Sequence, residues 1–137
     1  AVLGLTFKPN TDDMRDAPSI PLIQTLQDAG ASVQAYDPEG TDQARQLFND
    51  VIFLPDPYSV AQDADAIVIV TEWDEFRALD LPRMASVMNE PTLVDLRNIY
   101  PDHEARRAGF AYTGLGRGLS VDNGRRVSKP ELRVASQ

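Results

Sequence analysis

The sequence has 137 residues, a length that predicts one domain with a hydrophobic core of its own. Its net charge of -8 argues against a general nucleic-acid binder, because such proteins use lysine and arginine to neutralise phosphates. The absence of cysteine excludes disulfides, a thiolate nucleophile and cysteine-based zinc or iron–sulfur sites within this chain.

Short apolar runs recur along the chain and predict six strands. The run at residues 66–70 is the most hydrophobic of them, which predicts a central strand buried on both faces of a sheet. In chain order, the predicted strands are residues 2–7, 32–38, 51–54, 66–70, 92–95 and 111–114.

Segments with helical spacing or helix start signals separate these strands. Apolar residues recur at helical spacing after residue 17, and Gly30 is the predicted C-cap of that helix. Thr41 and Asp80 are predicted N-caps, and Pro82 falls in the first turn after Asp80. The predicted helices cover residues 17–29, 41–48 and 57–64, a short helix or turn at 73–79, a helix that opens at 80–82, and one after residue 101.

Strands that alternate with helices predict an α/β fold, with a doubly wound, mostly parallel open sheet of about six strands and right-handed crossovers. In such sheets, ligands bind beyond the carboxyl ends of the strands. A Walker phosphate loop and a G-x-G-x-x-G fingerprint are both absent after the first strand, and the glycines at residues 114–118 come too late to open a βαβ unit. The sheet is therefore predicted to resemble that of a Rossmann domain but to lack the glycine-rich turn with which such domains usually bind a dinucleotide.

Charge is distributed unevenly along the chain. Residues 1–104 carry six basic and nineteen acidic residues, whereas residues 105–137 carry seven basic and two acidic ones. This basic tail is either solvated or docked on an acidic surface, and residues 127–137 are predicted to be disordered. No apolar stretch approaches the roughly 20 residues of a membrane span, and no segment resembles a signal peptide, so a cytoplasmic protein without a membrane partner is expected.

Three cations follow predicted strands at one sheet edge. Lys8 and Arg15 lie in the loop after the first strand, where an anion could also meet the N-terminus of the first helix, and Arg97 follows the fifth strand. An arginine there can bind a phosphate with two hydrogen bonds. The alternative is that nearby carboxylates only balance these charges, the candidates being Asp12, Asp13 and Asp16 for the first two cations and Asp95 or Glu72 for Arg97.

Two further residues have chemistry that could serve a site. Trp73 could stack on a base, but its place beside a central strand favours covering the end of the sheet. His103 is the only histidine and is expected to be a surface residue without a role. No metal site is predicted.

Four motifs, in order and spacing, give the chain a recognisable pattern: "GLTFKPNTDDMRDAPS", "YDP", "TEWDEF" and "LVDLRN". Together they resemble the C-terminal UDP-binding domain of the UDP-glucose/GDP-mannose dehydrogenase family. The resemblance covers about residues 1–118 and implies a nucleotide-sugar-binding domain there, followed by a basic, flexible tail over residues 119–137.

The family resemblance also implies partners outside this sequence. Members oxidise the C6 alcohol of a nucleotide sugar to a carboxylate with two NAD molecules. An N-terminal domain binds the NAD, a long central helix holds a homodimer together, and the catalytic cysteine lies upstream of the motifs present here. By resemblance, the chain is therefore expected to lack the NAD domain, to contain no catalytic residue and to be inactive alone.

Residue roles follow from the same resemblance. Phe7 and Lys8 match residues that contact the sugar nucleotide, and Arg15 matches one that reaches towards the NAD pyrophosphate. Arg97 matches the arginine that reaches the substrate of the neighbouring subunit. The motifs are closer to members that act on UDP-glucose than to those that act on GDP-mannose. Three alternatives remain. The chain could be the corresponding domain of a dehydrogenase for GDP-mannose or another UDP-sugar, a stand-alone nucleotide-sugar-binding module, or an unrelated doubly wound domain.

Overall fold

Six parallel strands form the centre of the structure, a computed structural model that describes residues 1–116 and the backbone of residues 121–122 and 125–126. Across the sheet, the strands follow the order β3-β2-β1-β4-β5-β6. In chain order they are β1 (Val2–Leu3), β2 (Val33–Tyr36), β3 (Val51–Phe53), β4 (Ile67–Ile69), β5 (Thr92–Asp95) and β6 (Ala111–Gly114).

The predicted strands are all present, and every pairing between them in this sheet is parallel. The prediction for the first strand was too long. β1 ends at Leu3 because Gly4 takes a φ of +90°, which turns the chain out of the extended conformation. Leu3 is in register with Ile69, and Ile69 with Asp95, so the carboxyl ends of these three neighbouring strands lie level.

Six helices lie between these strands in the part of the chain described above. They cover the sheet on both faces, as the predicted doubly wound fold requires. Their bounds are α1 (Ser19–Asp28), α2 (Thr41–Leu47), α3 (Pro57–Ala61), α4 (Asp74–Arg77), α5 (Leu81–Val87) and α6 (Asp102–Arg107).

Helix ends were predicted less well than helix positions. The Asp80 cap of α5 is confirmed, since its Oδ1 accepts a hydrogen bond of 3.1 Å from the N–H of Arg83. The Thr41 cap is wrong: Thr41 is the first residue of α2, and its hydroxyl donates to the carbonyl of Asp37 at 3.1 Å. The third helix ends at Ala61 rather than at residue 64.

Two clusters of buried apolar side chains fill the two faces of the sheet. β1 contributes to both, because successive side chains of a strand point to opposite faces: Val2 packs with α1 and α2, and Leu3 packs under α3 to α6. The largest side chains buried on the Leu3 face include Phe76, Ile67, Ile69, Met84 and Leu93, and Leu5, Ile23, Val33 and Val70 lie on the other face.

A second, two-stranded sheet follows the main one. β7 (Val121–Asp122) pairs antiparallel with β8 (Arg125–Arg126). This pairing was not predicted, and it falls within the segment predicted as a basic tail. Residues 127–137, predicted to be disordered, lie outside the described residues. Among the helices that the structure describes, none has the length and apolar character that crossing a membrane requires.

Candidate functional site

The candidate site lies where the chain leaves the carboxyl ends of β1, β4 and β5. β1 lies in the middle of the sheet, and the strand order runs outwards from it in both directions, through β2 to β3 and through β4 to β6. Such a reversal of strand order leaves a crevice beyond the strand ends, which is where ligands of open α/β sheets bind.

The inner part of this crevice is filled by the protein itself. A Cβ placed on Gly4 would lie 2.6 Å from the backbone nitrogen of Thr71, so the chains after β1 and β4 are in close contact. The Thr71 hydroxyl donates to the carbonyl of Thr6 at 2.7 Å and ties the two segments together. The segments after β1 and β4 therefore leave no space for a side chain between residue 4 and Thr71.

Phe7 and Lys8 stand on the outer side of this contact. The Phe7 N–H donates to the carbonyl of Asp13 at 2.9 Å, which fixes the backbone of the loop. The Phe7 side chain is nevertheless 51% exposed, and Lys8 is exposed. Lys8 forms no ion pair with any residue that the structure describes, so its ammonium is accessible to an anion.

Arg97 follows β5 at the same edge, but it is already engaged. Its Nε donates to Glu72 Oε2, a contact that joins the segments after β4 and β5. Burial opposes ionisation of Glu72, but hydrogen bonding to the Arg97 guanidinium and its positive charge outweigh this and hold the pKa of Glu72 below its ordinary value. Glu72 is therefore the carboxylate that pairs with the Arg97 side chain. Asp95, the other candidate, accepts a hydrogen bond from the main-chain N–H of Arg97 but not from its guanidinium.

Arg15 is separated from Arg97 by its position on the α2 side of β1. Its Nε and Nη2 donate to the two carboxylate oxygens of Asp13 at 3.1 and 2.9 Å. This hydrogen-bonded pair lowers the pKa of Asp13 to about 2, and 89% of the Arg15 side chain is exposed. A groove between residues 11–16 and α2 runs beside it, and because Asp12, Asp13 and Asp16 line that groove, it does not by itself suit a pyrophosphate.

Trp73 and His103 lie where the sequence predicts them. The Trp73 side chain is buried over the end of the sheet, and its indole N–H donates to Asp37 Oδ2 at 3.2 Å. His103 is exposed on α6. Within the described residues, no group of three or more histidine, cysteine, aspartate or glutamate side chains is arranged to hold a metal ion.

Two buried aspartates organise this edge, and the sequence analysis gave neither of them that role. Asp37 follows β2, and Asp95 ends β5. Asp95 Oδ2 accepts hydrogen bonds from the N–H of Tyr100 at 3.0 Å and from the hydroxyl of Tyr112 at 2.8 Å. The signal that could have found both is a carboxylate directly at the end of an apolar strand, where it is buried and therefore needs hydrogen-bond donors.

Known proteins are similar to this chain in sequence and in fold. The family described as "UDP-glucose/GDP-mannose dehydrogenase family, UDP binding domain" matches residues 1–102. A UDP-glucose 6-dehydrogenase of Rhizobium meliloti (strain 1021) is 60% identical over 117 residues, which are 85% of this chain and 27% of that protein. The chain thus spans about a quarter of the length of this relative.

Solved structures of dehydrogenases that act on nucleotide sugars have a similar fold over most of this chain. An NDP-N-acetyl-D-galactosaminuronic acid dehydrogenase from Methanosarcina mazei Go1 superposes with a TM-score of 0.74 and 30% identity, over 85% of this chain and 24% of that one. A UDP-glucose dehydrogenase from the archaeon Pyrobaculum islandicum superposes with a TM-score of 0.65 and 30% identity, over 82% of this chain and 24% of that one.

Proposed function

The chain belongs to the UDP-glucose/GDP-mannose dehydrogenase family, as its UDP-binding domain, and from this premise we propose that residues 1–118 bind the nucleotide of UDP-glucose at the carboxyl edge of the sheet. Phe7 and Lys8 contact the sugar nucleotide of their own subunit in this proposal. Arg97 contacts the substrate of the neighbouring subunit in a homodimer. Residues 119–137 form a basic tail in this proposal, and β7 and β8 belong to it.

One observation supports this proposal most directly, namely the exposed pair Phe7 and Lys8 on a fixed backbone. An aromatic ring with half its surface exposed can pack against a base or sugar, and an ammonium without an ion pair in the described part of the chain can bind a phosphate. Because residues 1–104 are strongly acidic, a diphosphate would be repelled from most of this surface. The few accessible cations therefore determine where it binds.

The role of the chain within a dehydrogenase follows from the chemistry of the reaction. A primary alcohol loses four electrons when it becomes a carboxylate, and each NAD accepts two of them as hydride, so one sugar requires two NAD. In the proposal, NAD is bound mainly by a domain outside this chain, and the exposed Arg15 side chain contacts its pyrophosphate across the cleft. A thioester to cysteine also forms outside this chain, since the sequence has no cysteine. The complete enzyme is proposed to be cytoplasmic.

UDP-glucose is the substrate proposed because relatives that are 60%, 44% and 42% identical to this chain carry that name. The proteins that match at 60% and 42% identity are both described as UDP-glucose 6-dehydrogenases, whereas the solved structures near 30% identity include dehydrogenases of other nucleotide sugars. The sugar is thus inferred from sequence similarity, and the nucleotide from the family.

Calorimetric titration of the purified chain tests the proposal. UDP and UDP-glucose are expected to bind with a dissociation constant above about 1 μM. In the complete enzyme another domain is proposed to form the second wall of the binding cleft, so the isolated chain leaves the ligand partly in solvent. GDP and GDP-mannose serve as matched ligands with the same diphosphate and a different base, and they are expected to bind more weakly. Equal affinity for UDP and GDP would contradict recognition of the base, and absence of any UDP binding would contradict the proposed site.

A further inference from the structure

The carboxylate of Asp37 is the most highly hydrogen-bonded side chain at the edge of the sheet that carries the candidate site. Asp37 is 2% exposed and lies directly after β2. Its Oδ2 accepts from the main-chain N–H groups of Leu5 at 2.7 Å and Thr6 at 3.1 Å, and from the Trp73 indole at 3.2 Å. Asp37 therefore joins the segments that leave β1, β2 and β4.

The other carboxylate oxygen fixes the start of α2. Oδ1 accepts from the N–H groups of Glu39 at 2.9 Å and Gly40 at 2.7 Å. No lysine or arginine among the described residues forms an ion pair with Asp37. Its negative charge is thus balanced by five N–H dipoles with fixed positions, and an amide could not accept from all of them because one of its two ends is a donor.

The Thr6 hydroxyl lies between this carboxylate and the main-chain carbonyl of Lys8. The Thr6 hydroxyl lies 3.2 Å from Asp37 Oδ2 and 3.0 Å from the carbonyl oxygen of Lys8, so its single proton can be donated to either acceptor. The next residue, Phe7, is held by its main-chain hydrogen bond to Asp13. The backbone that carries Phe7 and Lys8 is therefore held at two points, by Asp37 at Thr6 and by Asp13 at Phe7.

Close packing leaves this arrangement little freedom. A Cβ on Gly40 would lie 2.5 Å from Thr6 Cγ2 and 3.2 Å from Asp37 Oδ1. Residue 40 therefore has no room for a side chain beside Thr6 and Asp37, which lets the Gly40 N–H approach the carboxylate to 2.7 Å.

We propose that Asp37 is a positioning residue for the UDP site: it does not touch the nucleotide, but it sets the place from which Phe7 and Lys8 reach it. The inference rests on the proposed binding of UDP by these two residues. A ligand pays less ordering entropy when the groups that bind it are already fixed, so loss of this support should weaken UDP binding beyond what the loss of stability alone explains.

Calorimetric titration with UDP of Asp37→Asn and two matched variants tests the role. Asp37→Asn is expected to bind UDP about ten- to a hundredfold more weakly, because Phe7 and Lys8 lose their fixed positions. Asp56→Asn makes the same substitution at the N-cap of α3, where the carboxylate also accepts a main-chain N–H, and should keep full affinity. Ile67→Ala, in the buried core of β4, lowers the melting temperature without touching the loop after β1 and should also keep full affinity.

A second variant applies if Asp37→Asn does not fold. Thr6→Val preserves the shape of the side chain and leaves Asp37 intact, but it removes the hydroxyl that can donate to the carboxylate or to the carbonyl of Lys8. About a fivefold loss of UDP affinity is expected, the usual net contribution of one hydrogen bond. In ¹H–¹⁵N spectra of either variant, the amide signals of residues 5–8 should move, whereas those of α3 should not.

The outcomes separate the two claims. If the unchanged chain fails to bind UDP, the proposed function is wrong and this inference falls with it. If the unchanged chain binds UDP and Asp37→Asn or Thr6→Val binds it equally well, the site stands and the positioning role is wrong. An affinity that falls with the melting temperature alike in Asp37→Asn and Ile67→Ala would also overturn the positioning role.

Discussion

At the scale of single residues, the cations of the candidate site differ in how free they are to bind a phosphate. Arg97 already holds Glu72, and Arg15 holds Asp13, so a phosphate must compete with a carboxylate at each of them. Lys8 forms no ion pair in the described part of the chain. Of the three, Lys8 can therefore contribute to binding at the lowest cost.

Lys8→Ala is expected to weaken UDP binding by the purified chain by about 1.5–3 kcal/mol, the usual contribution of a hydrogen bond to a charged group. Arg45→Gln is the matched control, because it also removes one positive charge but lies on α2, with its guanidinium 5.1 Å from the centre of the Phe53 ring. Both variants are compared by titration and by thermal unfolding. A lower melting temperature for Lys8→Ala with unchanged affinity would show that Lys8 only stabilises the loop.

The ion pair of Arg15 with Asp13 has a pH signature. Hydrogen bonding to Arg15 lowers the pKa of Asp13 from 3.8 to about 2. Since the folded state binds this proton less readily, the pair favours folding above pH 3.8, and its contribution is lost as the pH falls through about 2. An NMR titration of the Asp13 carboxyl is expected to show this midpoint in the unchanged chain and in Arg45→Gln. In Arg15→Gln it should return towards 3.8, and a midpoint that stays near 2 would rule out Arg15 as the cause.

At the scale of the elements, the close approach of the segments after β1 and β4 sets the shape of the site. Gly4→Ala would combine an unfavourable φ of +90° with a Cβ placed 2.6 Å from the Thr71 backbone. The expected loss in the free energy of unfolding is roughly 2–5 kcal/mol, from backbone strain together with overpacking.

Gly30→Ala is the control for Gly4→Ala. Gly30 has nearly the same φ, +93°, but nothing lies within 4 Å of its added Cβ, so only the conformational cost of about 1–2 kcal/mol applies. Urea unfolding of both variants measures the difference. Equal losses would mean that the contact between Gly4 and Thr71 adapts without cost.

The sequence predicted these elements better than their ends or their contacts. Apolar runs identified all six strands of the main sheet, most clearly the central ones, because a strand buried on both faces has apolar side chains throughout. The cap of α2 was mistaken for a local reason, since the Thr41 hydroxyl donates to the carbonyl of Asp37 four residues earlier and does not cap the helix. The end of β1 was mistaken because the positive φ at Gly4 goes with close packing against Thr71, which is distant in the chain. For the same reason, the role of Asp37 could not be predicted: four of its donors come from segments after two other strands.

The candidate site was predicted in part. Position after a strand located Lys8 and Arg97 at one edge of the sheet, and family resemblance supplied what they are proposed to hold. Local spacing named Glu72 and Asp95 as possible partners of Arg97 but could not choose between them, because the choice depends on how β4 and β5 align.

At the scale of the whole molecule, the chain alone is expected to show no dehydrogenase activity. Hydride transfer needs a bound nicotinamide, and thioester chemistry needs a cysteine that this sequence does not contain. Purified chain with UDP-glucose and NAD should produce no NADH above a protein-free blank. An increase in absorbance at 340 nm in proportion to protein concentration would contradict this prediction.

Arg97 provides a test of the proposed dimer. Arg97→Ala is expected to leave UDP binding by a monomeric chain nearly unchanged and to reduce substrate affinity in the complete dimeric enzyme. Arg97→Lys should recover little there, because an ammonium keeps the charge but loses the two parallel hydrogen bonds of a guanidinium. An equal loss of affinity in monomer and dimer would instead assign Arg97 to the substrate of its own subunit.

The position of β1 between β2 and β4 also determines how the chain can fold. Val2 pairs with Ala35 on one side and with Val68 on the other, so the middle of the sheet is completed only when segments more than 60 residues apart meet. The chain loses the conformational entropy of closing such large loops before it gains the contacts between the strands. Sheets with this topology therefore fold more slowly than folds built from local contacts. During synthesis, the loop after β1, which carries Phe7 and Lys8, can therefore take its place at the edge of the sheet only after β4 has been made.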